Sequence, residues 1–146
     1  MNPQDLLLKL VIQLRCMNIY YHSCHNIVSR VSFVGDHSLF ADFYEKADDD
    51  YDSVIERMIG LFGPEVANLQ RIMSGVSEYI KRCPSTEAKD NKALFEHGAS
   101  QEKELQAICD AIMKSGVVSE GTKNLIAQIM DDSEGRIYKI KQRVRA

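Results

Sequence analysis

Apolar residues recur at helical spacing along the whole chain and nowhere alternate as a half-buried strand would. The first such stretch opens at Asn2-Pro3, an N-cap residue followed by proline at the first helical position. It runs on through Leu6, Leu7, Leu10, Val11, Leu14, Met17 and Tyr21. The second begins near Gly35-Asp36 and carries Leu39, Phe40, Phe43, Tyr44, Ala47, Tyr51, Val54, Ile55, Met58 and Ile59 on one face. Gly63-Pro64 ends it, the glycine supplying a left-handed cap and the proline blocking continuation. A shorter amphipathic pattern (Val66, Leu69, Ile72, Met73, Val76, Tyr79, Ile80) lies between Glu65 and Arg82. A third long helix is expected from about Ser85 to Lys114, polar in its first half and apolar in its second through Leu105, Ile108, Cys109, Ile112 and Met113. Ser119 caps a fourth through Leu125, Ile126, Ile129, Met130, Ile137, Ile140 and Val144, with Gly135 a weak point costing about 1 kcal/mol against alanine. The expectation is an all-α single domain over residues 1–146: a four-helix bundle of ferritin-like topology, with a short helix in the crossover between the second and third long helices.

Composition narrows the class. At 146 residues with 45% apolar content the chain can bury a continuous core without disulfides. No apolar run approaches the roughly 20 residues of a membrane span. The N-terminus has no basic flank, apolar stretch and small-residue cleavage site, so the expected setting is the cytoplasm, with no membrane partner. Cys16, Cys24, Cys83 and Cys109 form no compact ligand spacing and are expected as reduced thiols. A net charge of −3 gives the chain as a whole no attraction for nucleic acid, yet its end is basic: Arg136, Lys139, Lys141, Arg143 and Arg145, with no acid among them.

The candidate chemistry lies in four residues, His25 at the end of the first helix and His37, Asp52 and Glu56 on the second. Neutral imidazole nitrogens with anionic oxygens make a donor set suited to iron. Asp52 and Glu56, four apart, project from one helical face. His37 and Asp52 are fifteen residues apart, about 22 Å of helix, so one metal ion cannot touch both in a single chain. Two copies of the helix lying antiparallel would bring His37 of one beside Asp52 and Glu56 of the other. Such a site is intersubunit and occurs twice per dimer.

The order and spacing of His25, His37, Asp52 and Glu56, and the stretch from His37 to Arg57 almost position by position, resemble the Dps family of mini-ferritins. Phe33 falls where that family has a loop aromatic, and Gly121-Thr122 with Leu125 to Met130 resembles the start of its fourth helix. The likeness covers the chain in layout and is motif-grade over residues 25–63. It implies a hollow homo-oligomer, expected as a dodecamer with the dimer as the site-forming unit. It further implies a ferroxidase that binds Fe(II) through His25 and His37 of one subunit and Asp52 and Glu56 of its mate. Hydrogen peroxide or oxygen would be the oxidant, ferric oxide would be stored, and the cell would be protected against oxidative damage. Zinc or manganese are the substitutes to weigh for iron. Ferritins and bacterioferritins instead place their centre inside one bundle with Glu-x-x-His motifs, which this sequence does not have.

Three positions depart from the family pattern. Ala41 replaces a carboxylate one turn after the second histidine, Asn26 replaces an aromatic after the first, and Ser29-Arg30-Val31-Ser32 replaces a glycine-rich turn. Asp42 points about 100° away from the Ala41 direction, and His22 is the candidate auxiliary ligand. Glu120 is the candidate lining of a cation pore. The acids of the third long helix (Glu87, Asp90, Glu96, Glu102, Glu104) face either a cavity or solvent. The basic tail through which Dps proteins often bind DNA has no counterpart before the first helix. The C-terminal run from Arg136 is the candidate substitute, and with it nucleoid association; a solvated helix end is the simpler account. Two alternatives stay open: a cage-forming, DNA-protecting relative with a degenerate ferroxidase site, and an unrelated helical interaction module.

Overall fold

The structure is a computed structural model describing residues 2–116 and 118–145, all in helices, turns and loops. Helix α1 spans Pro3–Ile27, and the Asn2 side chain accepts the Asp5 N–H at 2.8 Å as its N-cap. Helix α2 spans Phe33–Phe62 without interruption and stops at Gly63, whose φ of 98° only glycine adopts without strain. A 3-10 turn over Pro64–Ala67 leads into α3 (Leu69–Ile80), capped by Asn68. After a second 3-10 turn at Thr86–Ala88, α4 spans Asn91–Lys114. Ser119 caps α5 (Glu120–Val144), as expected. The start of α4 is six residues later than the Ser85 expected from sequence, because Asp90 is the residue whose carboxylate accepts the Ala93 N–H at 2.8 Å.

Helix α1 packs chiefly against α2, and α4 against α5, while α3 lies across α1 as the crossover. The start of α4 meets the end of α1, and the end of α5 meets the start of α2. This is the expected four-helix bundle with a crossover helix. Leu10, Leu14, Met17, Phe40, Met58, Phe95, Leu105, Ile112 and Ile126 are among the side chains of one continuous core. The cysteines are free thiols; burial pushes Cys16, Cys24 and Cys109 up to about 12, so they pack as small apolar side chains.

Two polar assemblies inside this frame were not legible as such. At one end of the bundle Arg143 donates to both oxygens of buried Asp36 (2.7 and 2.8 Å), and Ser32 and Asn91 donate to the same carboxylate at 2.8 and 2.9 Å. Four segments are thereby clasped together. In the centre, Glu102 of α4 is fully buried. It accepts from Arg136 at 2.9 and 3.0 Å, from Ser133 at 2.7 Å and from the Tyr21 hydroxyl at 2.5 Å. Glu102 therefore faces neither a cavity nor solvent, and the first half of α4 is not a polar surface: Leu94, Phe95, Gly98 and Gln101 are buried with it. Gly98 makes room for the Tyr21 ring, since a Cβ there would stand 3.0 Å from Tyr21 Cε1 and the ring would have to shift by a few tenths of an ångström.

Burial alone would raise the Asp36 carboxyl, but the hydrogen bonds from Arg143, Ser32 and Asn91 overcome it and hold the group below its ordinary value. A carboxyl lowered in the folded state stabilises fully above its unfolded pKa of about 4, and that contribution fades as pH falls through the folded value. Urea unfolding should therefore show Asp36→Asn losing stability at pH 7 and little at pH 2. An equal loss at both pH values would contradict the clasp.

Candidate metal centre

Helix α1 ends and α2 begins with a tight antiparallel return, which brings His25 and His37 face to face. Their rings stack at 3.7 Å between centroids, 21° from parallel. Each Nδ1 lies 2.7 Å from the other residue's backbone carbonyl. A carbonyl oxygen only accepts, so both Nδ1 atoms carry the proton and donate it. In the neutral form of each ring, Nε2 is then the nitrogen that carries the free lone pair. The acceptor on His25 is a carbonyl of the last turn of α1, free because the Ser29 N–H that would continue the helix bonds to Asn91 Oδ1 at 3.3 Å instead. A metal-binding histidine commonly has its second nitrogen tied to a carbonyl, which fixes tautomer and ring direction. Here the two residues do this for each other.

Aromatic packing holds the clasp from both sides. Phe33 stacks on His37 at 4.9 Å, and Tyr44 meets His25 edge-on at 5.3 Å. The exposed His22 stacks on Tyr44 at 4.1 Å, its ring 6.1 Å from that of His25. It stands beside the pair rather than in it.

Asp52 and Glu56 lie on the same unbroken α2 as His37, about 22 and 28 Å along its axis. Both are exposed and make no ion pair or side-chain hydrogen bond among the described residues. Within one chain, no group of three or more His, Cys, Asp or Glu among the described residues is placed to hold a metal. The structure thus joins the two histidines and keeps the two acids apart from them. Ala41 is half-buried, and Asp42 does not stand in for the absent carboxylate: it lines a cleft toward α5, with Lys46 and Asp131. Glu120 opens α5 fully exposed and is paired with Lys123 at 3.2 Å.

The basic run at the C-terminus is split between buried or half-buried side chains and exposed ones. Arg136 is not available to a phosphate, because it is buried in the ion pair with Glu102. Arg143 is likewise committed, to Asp36. Both were expected at the surface from charge alone; their positions on the helical stripe Thr122, Ile126, Ile129, Ser133, Arg136, Ile140 carried the signal that Arg136 points inward. Lys139, Lys141 and Arg145 remain exposed. Among the described residues no helix is long and apolar enough to cross a membrane.

The chain is a ferritin-like four-helix bundle with its candidate donors at the outer seam between α1 and α2 rather than inside the bundle, where Arg136 neutralises the buried carboxylate. Its fold is that of Dps. Two variant structures of Dps from Listeria innocua match it along almost its whole length. A single histidine-to-glycine variant superposes with a TM-score of 0.84 at 18% identity, covering 99% of this chain and 96% of that one. A double histidine-to-glycine variant gives 0.85 at 17% identity, covering 100% and 96%. The two histidines replaced in the double variant stand twelve positions apart in that protein, the interval that separates His25 from His37 here. No family model and no curated protein sequence matches the chain.

Proposed function

We propose that this protein is a Dps-type mini-ferritin: a ferroxidase that binds Fe(II) between paired subunits, oxidises it with hydrogen peroxide or oxygen, and stores the ferric product in a cage of identical chains. The observation that carries this reading is the reciprocal histidine clasp, which fixes both tautomers so that each neutral ring offers its Nε2 to a metal at a half-buried seam. The unpartnered Asp52 and Glu56 would complete the donor set from a second subunit. With peroxide, two Fe(II) ions lose one electron each, the O–O bond breaks, and two protons are taken up to give two waters. No side chain is needed as a general base; the protein fixes the ligand geometry. Iron is the substrate here, and zinc or manganese would compete for the same donors.

A second reading, a cage relative whose centre has weakened, is favoured by Ala41 together with the direction taken by Asp42. In that case any DNA-protecting role falls to Lys139, Lys141 and Arg145. Peroxide-driven oxidation of Fe(II) distinguishes the two. The native protein should oxidise iron much faster than a His37→Ala, Glu56→Ala double variant of the same assembly state. Equal rates would discard the ferroxidase, and a monomeric mass in solution would discard both cage readings.

A further inference from the structure

The cleft between α2 and α5 holds a second arrangement of charged groups, unrelated to the histidine clasp. These helices touch only sparsely. Near their midpoints two carboxylates converge on one lysine: Lys46 Nζ lies 2.7 Å from Asp50 Oδ1 and 3.2 Å from Asp132 Oδ2. Asp50 is 3% exposed, and its second oxygen, Oδ2, is buried without any donor among the described residues. A buried acceptor left unpaired is costly, and most such groups find a partner. Burial pushes the Asp50 carboxyl above its ordinary range, and the charges of Lys46 and Arg136 offset this only in part. Asp42, Asp131, Asp132 and Glu134 line the cleft together with Lys46 and Lys139, and Asp50 adjoins it through its bond to Lys46. Arg136 also lines the cleft, but its two hydrogen bonds go to Glu102, so that Glu102 and Asp50 share its charge.

We propose that Asp50 and Asp132 form an exchangeable site for a hard divalent cation, at the position now taken by the Lys46 ammonium. The donors are oxygens alone, which selects manganese-, magnesium- or calcium-like ions rather than the softer ions that imidazole favours. Two carboxylates with water completing the shell is a common arrangement for such cations, and it requires no third protein ligand. Lys46 is about two-fifths exposed on a flexible stem, so it swings out to water while the ion takes its place. Asp50 then uses both oxygens, which gives its orphaned atom a partner. The site stands whether or not the histidine clasp oxidises iron.

The test is Mn(II) titration of the assembled protein, followed by loss of the free-ion EPR signal. The background is the His37→Ala, Glu56→Ala variant, so that the first centre does not contribute. One Mn(II) per chain should remain bound there. Asp132→Asn should abolish that binding, as should Asp50→Asn where it folds. Lys46→Met should tighten it about fivefold, the equilibrium factor of a competing half-exposed ion pair. Absence of bound Mn(II) in the background variant, its persistence in Asp132→Asn, or weaker binding in Lys46→Met would each overturn the site.

Discussion

Replacing Glu102 by alanine should destabilise the protein by about 3–5 kcal/mol, among the largest effects open to a single substitution in this chain. The cost does not lie in losing an attraction, since two charges brought out of water gain little net energy from meeting. It lies in what is left behind. Arg136, with 6% exposure, would keep its charge, because a guanidinium does not deprotonate, and would lose the carboxylate that takes both its hydrogen bonds. The Tyr21 and Ser133 hydroxyls would lose an acceptor as well. Removing both charges together has a different expectation. A Glu102→Leu, Arg136→Met variant leaves no stranded charge, and should lie within about 2 kcal/mol of the native protein. Urea unfolding followed by circular dichroism measures both, at one fixed protein concentration, because assembly would otherwise shift the midpoint. A loss below about 1 kcal/mol for Glu102→Ala would mean that water reaches the pair and that this centre is not dry.

The same buried pair shows where sequence reasoning stops. Helix ends that depend on one local residue were legible: Asn2, Gly63 and Ser119 each act where their chemistry predicts. The start of α4 was not, because Ser85 and Asp90 are both capping residue types, and only Asp90, beyond the 3-10 turn at Thr86–Ala88, makes the side-chain cap bond. Helix α2 likewise begins at Phe33, two residues before Gly35, and so places Phe33 against His37. Hydropathy assigns Glu102 and Arg136 to the surface, and each becomes affordable inside only through the other, 34 residues away. Helical periodicity did hold the clue, since Glu102 lies on the stripe Phe95, Gly98, Leu105, Cys109, Ile112. In the candidate centre, spacing along α2 fixed how far His37 stands from Asp52 and Glu56. It said nothing of the carbonyl contacts that set both histidine tautomers, because those depend on the way the 28–32 return folds.

Two inactive variants, mixed, should regain activity. In the proposed twofold dimer each centre takes His25 and His37 from one subunit and Asp52 and Glu56 from the other, so His37→Ala alone and Glu56→Ala alone each damage both centres. Either should slow iron oxidation by at least about 100-fold, since loss of a ligand exceeds the 10- to 100-fold cost of losing a ligand's supporting partner. A hybrid dimer is different. One of its centres carries both lesions, while the other combines intact histidines from the Glu56→Ala chain with intact acids from the His37→Ala chain. If subunits pair at random after unfolding and reassembly together, half the dimers are hybrids and about one quarter of all centres are native. The co-refolded mixture should therefore oxidise Fe(II) at about a quarter of the native rate, while the same variants refolded separately and then combined stay inactive. A centre contained in one chain yields no recovery under any mixing, because no chain in the mixture has both its histidines and its acids. Failure of the co-refolded sample, with the assembly confirmed by its mass, would overturn the sharing of each centre between two subunits.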